Sequence, residues 1–225
     1  MQRLIYEDRA MLVWRKLPGE DSERLPAQLC EELRMEGLRP VHRLDKPVGG
    51  LLVLAKSPEA AAALSAQLQS REACKGYLAV LRGVPEEAAG VLEDLLFYDR
   101  RRNKSFVVRR MRAGVKKARL SYRVLETRRQ LSLVAVRLET GRTHQIRVQF
   151  SSRGLPLAGD GRYGGKDAQT TAPALLCAYI SVRSPDGGRP VRLFARPEAE
   201  YPWNLFTEGL QEDGLRLFSD TLGPA

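Results

Sequence analysis

The chain has 225 residues, 43% of them hydrophobic, and a formal net charge of +10 from 37 Lys and Arg against 27 Asp and Glu. That is enough to bury a sizeable core, and the charge favours a polyanionic partner, nucleic acid in particular. Three scattered cysteines, Cys30, Cys74 and Cys177, argue against a disulfide framework or a zinc site; with no secretory h-region and no apolar run of roughly 18 residues, a soluble, cytoplasmic chain without a membrane segment is expected.

The elements follow in chain order. "RLIYEDRAMLVWRK" reads as two short strands about a Glu-Asp-Arg-Ala turn. "LPAQLCEELRMEG" predicts a helix with Pro26 in its first turn, Leu29 and Leu33 one turn apart, and Gly37 placed to end it. "PVHRLDKPVGGLLVLAK" predicts strand, turn, strand, and sets a single carboxylate, Asp45, among His42, Arg43 and Lys46 just before a Gly-Gly that lets another backbone or a ligand approach. "SPEAAAALSAQLQSRE" is a helix with Ser57 as N-cap and Pro58 at its first position. "GYLAVLRG" is a strand with Tyr77 near its start.

Between Arg100 and Arg119 stand ten Lys or Arg and no acid. Phe106, Val107, Val108 and Val115 interrupt them, so a partly anchored β-ribbon or long loop is expected, either a solvated face or a surface for phosphates. "ARLSYRVLE" and "LSLVAVRLE" predict a hairpin, and "TGRTHQIRVQFSSRG" a turn feeding a helix with Thr143 as N-cap and Gly154 as its stop. "ALLCAYISVRSPDGGRPVRLFA" is a second hairpin, turning at Pro185 to Gly188. The stretch from Pro197 holds six acids and one Arg; with Trp203, Leu205 and Phe206 it is expected to form a helix packed back on the sheet. Together these elements predict an α+β fold: one catalytic domain over residues 1–225, built on a mainly antiparallel mixed sheet flanked by helices, with 197–225 an acidic extension packed on it.

Only two histidines exist, His42 and His144, neither with a second ligand at metal spacing, and no phosphate-binding glycine loop or serine elbow is present. The four motifs that remain resemble, in order, those of the RluA-type pseudouridine synthases. "HRLDKPVGGLLVLAK" resembles that family's catalytic signature, "KGYLAVLRG" its Lys-x-Tyr-x-Ala motif, "KKARLSYRVLE" the following strand, and "ETGRTHQIRVQFSSRGLPLAGDGRYGG" its long arginine-containing motif. The resemblance spans about Val41 to Gly165.

It implies an RNA uridine isomerase that detaches uracil from ribose, rotates it and rejoins it through a ring carbon, with no cofactor and no metal. Asp45 then resembles the essential aspartate, as nucleophile on sugar or base or as the base that removes a ribose proton. Arg142 resembles the arginine that pairs with it, and Tyr77 the tyrosine that stacks on the target base. Substrate contacts are expected from His42, from Arg43 in the space the flipped base vacates or on a phosphate, and from Leu176 as a pocket wall. The basic stripe, through Arg100, Arg101, Arg102, Lys104, Arg109, Arg110, Lys116 and Lys117, is expected to hold the backbone of ribosomal or transfer RNA.

Two departures stand out: Lys16-Leu17-Pro18-Gly19 where the family usually has Lys-Pro-x-Gly, and Leu176-Cys177-Ala178 where it commonly has Leu-His-Ala. Because the similarity begins almost at Met1, the small RNA-binding domain many relatives carry is not expected; the family resemblance implies a monomer. Two other functions fit the residues less well: an RNA-binding or RNA-folding protein on the same scaffold that has lost the chemistry, which the intact Asp45, Tyr77 and Arg142 disfavour, and a nucleoside-hydrolysing glycosylase, which would need a second well-placed carboxylate.

Overall fold

A computed structural model of the chain describes residues 3–70, 72–206, 210 and 218. In chain order the elements are β1 (Leu4–Glu7), β2 (Met11–Lys16), α1 (Leu25–Leu33), β3 (Arg39–Pro40), β4 (Gly49–Ala55), α2 (Pro58–Ser70), β5 (Cys74–Arg82), β6 (Ala89–Asp99), β7 (Lys104–Val108), β8 (Val115–Arg128), β9 (Leu131–Leu138), α3 (Gln145–Ser151), β10 (Leu175–Arg183) and β11 (Pro190–Phe194). A 3₁₀ turn, Trp203–Leu205, follows. The described residues gather into two compact units, those of 3–75 with 176–195, and those of 76–175 with 196–206, 210 and 218.

In the first unit β2 pairs antiparallel with β1 and β4, β3 pairs antiparallel with β4, β4 lies parallel to β10, and β10 forms the expected hairpin with β11. Every residue of β2 and β4 is buried, which is why β4 and the first four residues of β2 read as continuous apolar runs rather than alternating ones, while Arg15 and Lys16 carry buried charges at the end of β2. The second glycine of the Gly-Gly pair answers to a close approach. Gly50 has φ +121°, and a Cβ there would lie 2.3 Å from the carbonyl oxygen of Cys177, its partner across the parallel pair. Ser57 caps α2 as expected, its Oγ accepting the Ala60 N–H at 3.1 Å. The first helix ends earlier than expected. Arg34, not Gly37, takes the left-handed cap, at φ 52°.

The second unit is an antiparallel sheet in the order β5-β9-β8-β6-β7. The hairpin between β8 and β9 turns on Arg129 and Gln130, both at positive φ, a two-residue turn tighter than the four-residue Thr-Arg-Arg-Gln reading. Val80, Leu131, Leu133, Ala158 and Ala174 form one core cluster with Phe206. Phe206 is fully buried there, although Trp203–Leu205 is a 3₁₀ turn and not the expected α-helix; most of the acidic stretch beyond Phe206 lies outside the described residues. No helix among the described residues is long and apolar enough to cross a membrane.

Candidate functional site

The Asp45 turn is built from the end of β2 and the loop after it. Lys16, the last residue of β2 and only 1% exposed, carries its ammonium into the turn, where Nζ lies 2.6 Å from the carbonyl oxygen of Val48, 3.1 Å from Lys46, 3.2 Å from Leu17 and 3.3 Å from Asp45. An ammonium has three protons, so four carbonyls leave at least one proton shared. From the other side Ser22 brackets Leu44, its Oγ donating to the carbonyl at 2.9 Å and accepting the amide at 3.1 Å. The Gly19 N–H donates to the carbonyl of Lys46 at 2.8 Å, and the Val48 N–H closes the turn on the carbonyl of Asp45 at 2.9 Å. Lys16-Leu17-Pro18-Gly19, the departure noted above, is therefore the cradle of the turn. Asp45 itself is half-buried.

His42 is committed to structure at one ring nitrogen. Its Nε2 accepts the Val53 N–H of β4 at 3.1 Å, which fixes the proton on Nδ1, a buried atom with no hydrogen-bond partner among the described residues. Burial, with the charge of Lys75 beside it, holds the imidazole pKa well below its ordinary value, so His42 is neutral. Arg43 is exposed and lies 3.3 Å from Glu23. Leu176 is buried opposite Gly49 in the parallel pair.

In the second unit Tyr77 is buried in β5 opposite Val136 of β9. Arg142 sits in a loop riveted to β8: its Nε donates to the carbonyl of Lys117 at 2.9 Å, and its N–H donates to Oε1 of Gln145 at 3.0 Å. Gln145 Nε2 in turn donates to the carbonyl of Arg119 at 3.1 Å, and Thr140 Oγ1 accepts the Arg119 N–H at 2.9 Å and donates to Gln145 Oε1 at 2.8 Å. The helix that follows is capped differently from the Thr143 expectation. His144, left-handed at φ 55°, occupies the N-cap position without a side-chain cap, and the Gln145 side chain receives the preceding amide instead. Inside α3, Arg147 makes a buried bidentate ion pair with Asp160, at 2.7 and 2.9 Å.

The basic stripe is the ribbon β6-β7 with the first half of β8. Arg100, Arg101 and Arg102 are exposed at its tip, where the carboxylate of Asp99 accepts the N–H groups of Arg101 and Arg102. Arg109 and Arg110 are exposed in the loop before β8, and Lys116 and Lys117 on β8. Lys104 differs: it is half-buried, with Nζ 5.1 Å from the centre of the Tyr163 ring and 5.8 Å from that of Phe106. Two further cations join the ribbon, Arg112 from within the stripe and Arg162 from outside it. Arg112 lies over Phe97 at 5.1 Å, and Arg162 braces the ribbon tip by donating to the carbonyls of Arg102 and Asn103 at 3.1 and 2.8 Å. No group of three or more His, Cys, Asp or Glu suited to a metal occurs among the described residues.

This arrangement has recognisable kin. Residues 11–152 match the family model described as RNA pseudouridylate synthase. The uncharacterized RNA pseudouridine synthase YlyB of Bacillus subtilis (strain 168) is 33% identical over 229 residues, covering 94% of this chain and 73% of that protein. The ribosomal large subunit pseudouridine synthase D of Nitrosomonas europaea is 46% identical over 145 residues, covering 64% of this chain but only 40% of that protein. Among solved structures, human RNA pseudouridylate synthase domain containing 1 superposes with a TM-score of 0.73 at 26% identity, over 86% of this chain and 82% of that one. The chain belongs to the RNA pseudouridylate synthase family.

Proposed function

We propose that the protein converts uridine to pseudouridine in structured RNA, with ribosomal RNA the favoured target class and the cytoplasm the place of action. The observation that carries the reading is that the family match, residues 11–152, takes in Asp45, Tyr77 and Arg142 together. The bond between uracil N1 and the ribose breaks, a bond from C5 forms, C5 loses its hydrogen to solvent and N1 gains one, so nothing is oxidised, reduced or hydrolysed. Asp45 is the reacting carboxylate, as nucleophile or as base; one carboxylate suffices, whereas a hydrolytic glycosidase uses two. Its turn is held through backbone carbonyls by Lys16. Tyr77 stacks on the uracil, and Arg142 is the guanidinium of the second catalytic motif.

The target base has to leave its stack, at a cost of a few kcal/mol that is smallest in loops and single strands. The exposed cations of the ribbon supply the phosphate contacts that position the RNA, while the choice of uridine rests on other contacts. The name of the Nitrosomonas europaea relative supports the large ribosomal subunit as first candidate over transfer RNA. The test is RNA tritiated at uracil C5: the wild-type protein is expected to release tritium and Asp45→Asn to release none. Equal release by both would remove Asp45 from the reaction.

A further inference from the structure

Tyr163, in the Gly-Asp-Gly-Arg-Tyr-Gly-Gly stretch, is left without a task by the reaction as described. It is 5% exposed and packs with Leu96, Ala118 and Val148. Its hydroxyl stands where the ribbon and the Arg142 loop meet. It accepts the backbone N–H of Ser105, the second residue of β7, at 2.7 Å, and lies 2.9 Å from Nδ1 of His144. Ser105 joins the same two segments a second time, donating from Oγ to the carbonyl of Thr143 at 2.5 Å. Ser151 Oγ ties the Tyr163 carbonyl to the end of α3 at 2.5 Å.

The hydroxyl bridges a backbone amide and an imidazole. The Ser105 amide can only donate, so the phenol oxygen is its acceptor; the contact with His144 Nδ1 runs in the direction the imidazole tautomer sets. Burial drives the phenol pKa up to about 12, so the hydroxyl stays protonated through the physiological range. His144 is the left-handed residue that closes the loop from Arg142 to α3, and a left-handed non-glycine residue persists where its surroundings hold it.

We infer that the Tyr163 hydroxyl is a positioning group that locks the root of the basic ribbon to the Thr143-His144 corner and thereby seats Arg142 for the isomerisation proposed above. RNA pressing on the ribbon then loads the loop that carries Arg142 through Ser105, Tyr163 and His144, while the Tyr163 ring holds its place beside Lys104 and Arg147, at 5.1 and 5.0 Å. The inference rests on the proposed reaction, so its test reads reaction and binding separately.

Tyr163→Phe keeps the ring and removes only the hydroxyl. With excess protein and C5-tritiated RNA, the single-turnover rate of this variant is expected to fall at least tenfold while its dissociation constant for RNA stays within twofold of wild type. Combined with Arg142→Lys, it is expected to cost nothing beyond the loss from Arg142→Lys alone, because both act through one guanidinium. Should Tyr163→Phe fold poorly, Ser105→Ala, which spares the backbone amide but cuts the bond to Thr143, is expected to show the same non-additivity. An unchanged rate with only a lowered melting temperature, or losses that multiply with Arg142→Lys, would overturn the inference while the reaction stands. A wild-type protein that releases no tritium would overturn both.

Discussion

Lys16 is the residue on which the Asp45 turn depends, and its pH behaviour separates two properties that usually move together. Burial lowers its pKa from 10.5 to about 8, against the pull of Glu20, Asp45 and Asp21. The folded chain therefore sheds this proton before the unfolded chain does. The burial penalty is fully present below pH 8, and between pH 8 and 10.5 the contribution of this group to stability rises with pH. Activity is expected to go the other way. Neutral Lys16 has one proton fewer for the four carbonyls around it, so the rate should fall as pH passes 8 without loss of the folded state; Lys16→Met should cut the rate at pH 7 at least tenfold and abolish that descending limb. A wild-type rate that is flat from pH 7 to 9.5 would contradict this role. Gly50 makes a simpler prediction. An alanine there meets the Cys177 backbone at φ +121°, so Gly50→Ala should lose about 3 kcal/mol or more in urea unfolding, and a change under about 0.5 kcal/mol would show that the β4–β10 contact is not tight.

Among the elements, the ribbon's exposed cations are predicted to act as a phosphate surface. Replacing Arg109, Arg110 and Lys116 by Glu should weaken RNA binding and make the slope of log affinity against log salt shallower by roughly 2, at about 0.7 per phosphate contact on single strands; unchanged affinity and slope would make the stripe a solvated face. Hairpins were the most legible elements in the sequence, because short polar turns between β-branched runs dictate local geometry, as at Ser184–Gly188. The ends of helices were less so. Gly37 looked like the stop for α1 and Thr143 like the cap for α3, but Arg34 and His144 take those positions, since partners distant in sequence, such as the Tyr163 hydroxyl on His144, decide conformations that propensity leaves open. The same holds for the site. Asp45, Tyr77 and Arg142 stand inside recognisable motifs, whereas the grip of Lys16 on residues about thirty positions later and the Ser105–Tyr163–His144 linkage arise only when the chain folds.

For the whole molecule, charge and family membership point the same way. The net charge of +10 contains an acidic stretch of six acids and one Arg from Pro197 onward, so the preceding 196 residues carry +15, from +10 minus (1 − 6); that excess suits an RNA partner. The proposed reaction, isomerisation of a uridine in cellular RNA through Asp45, can be read in the cell. The most direct measurement is a pseudouridine map of total RNA from cells with the intact gene, cells with the gene deleted, and deleted cells complemented with either the wild-type gene or Asp45→Asn. At least one pseudouridine, in large-subunit ribosomal RNA first of all, is expected to disappear on deletion and to return only with the wild-type gene. A map unchanged by the deletion, or restored equally by Asp45→Asn, would contradict it.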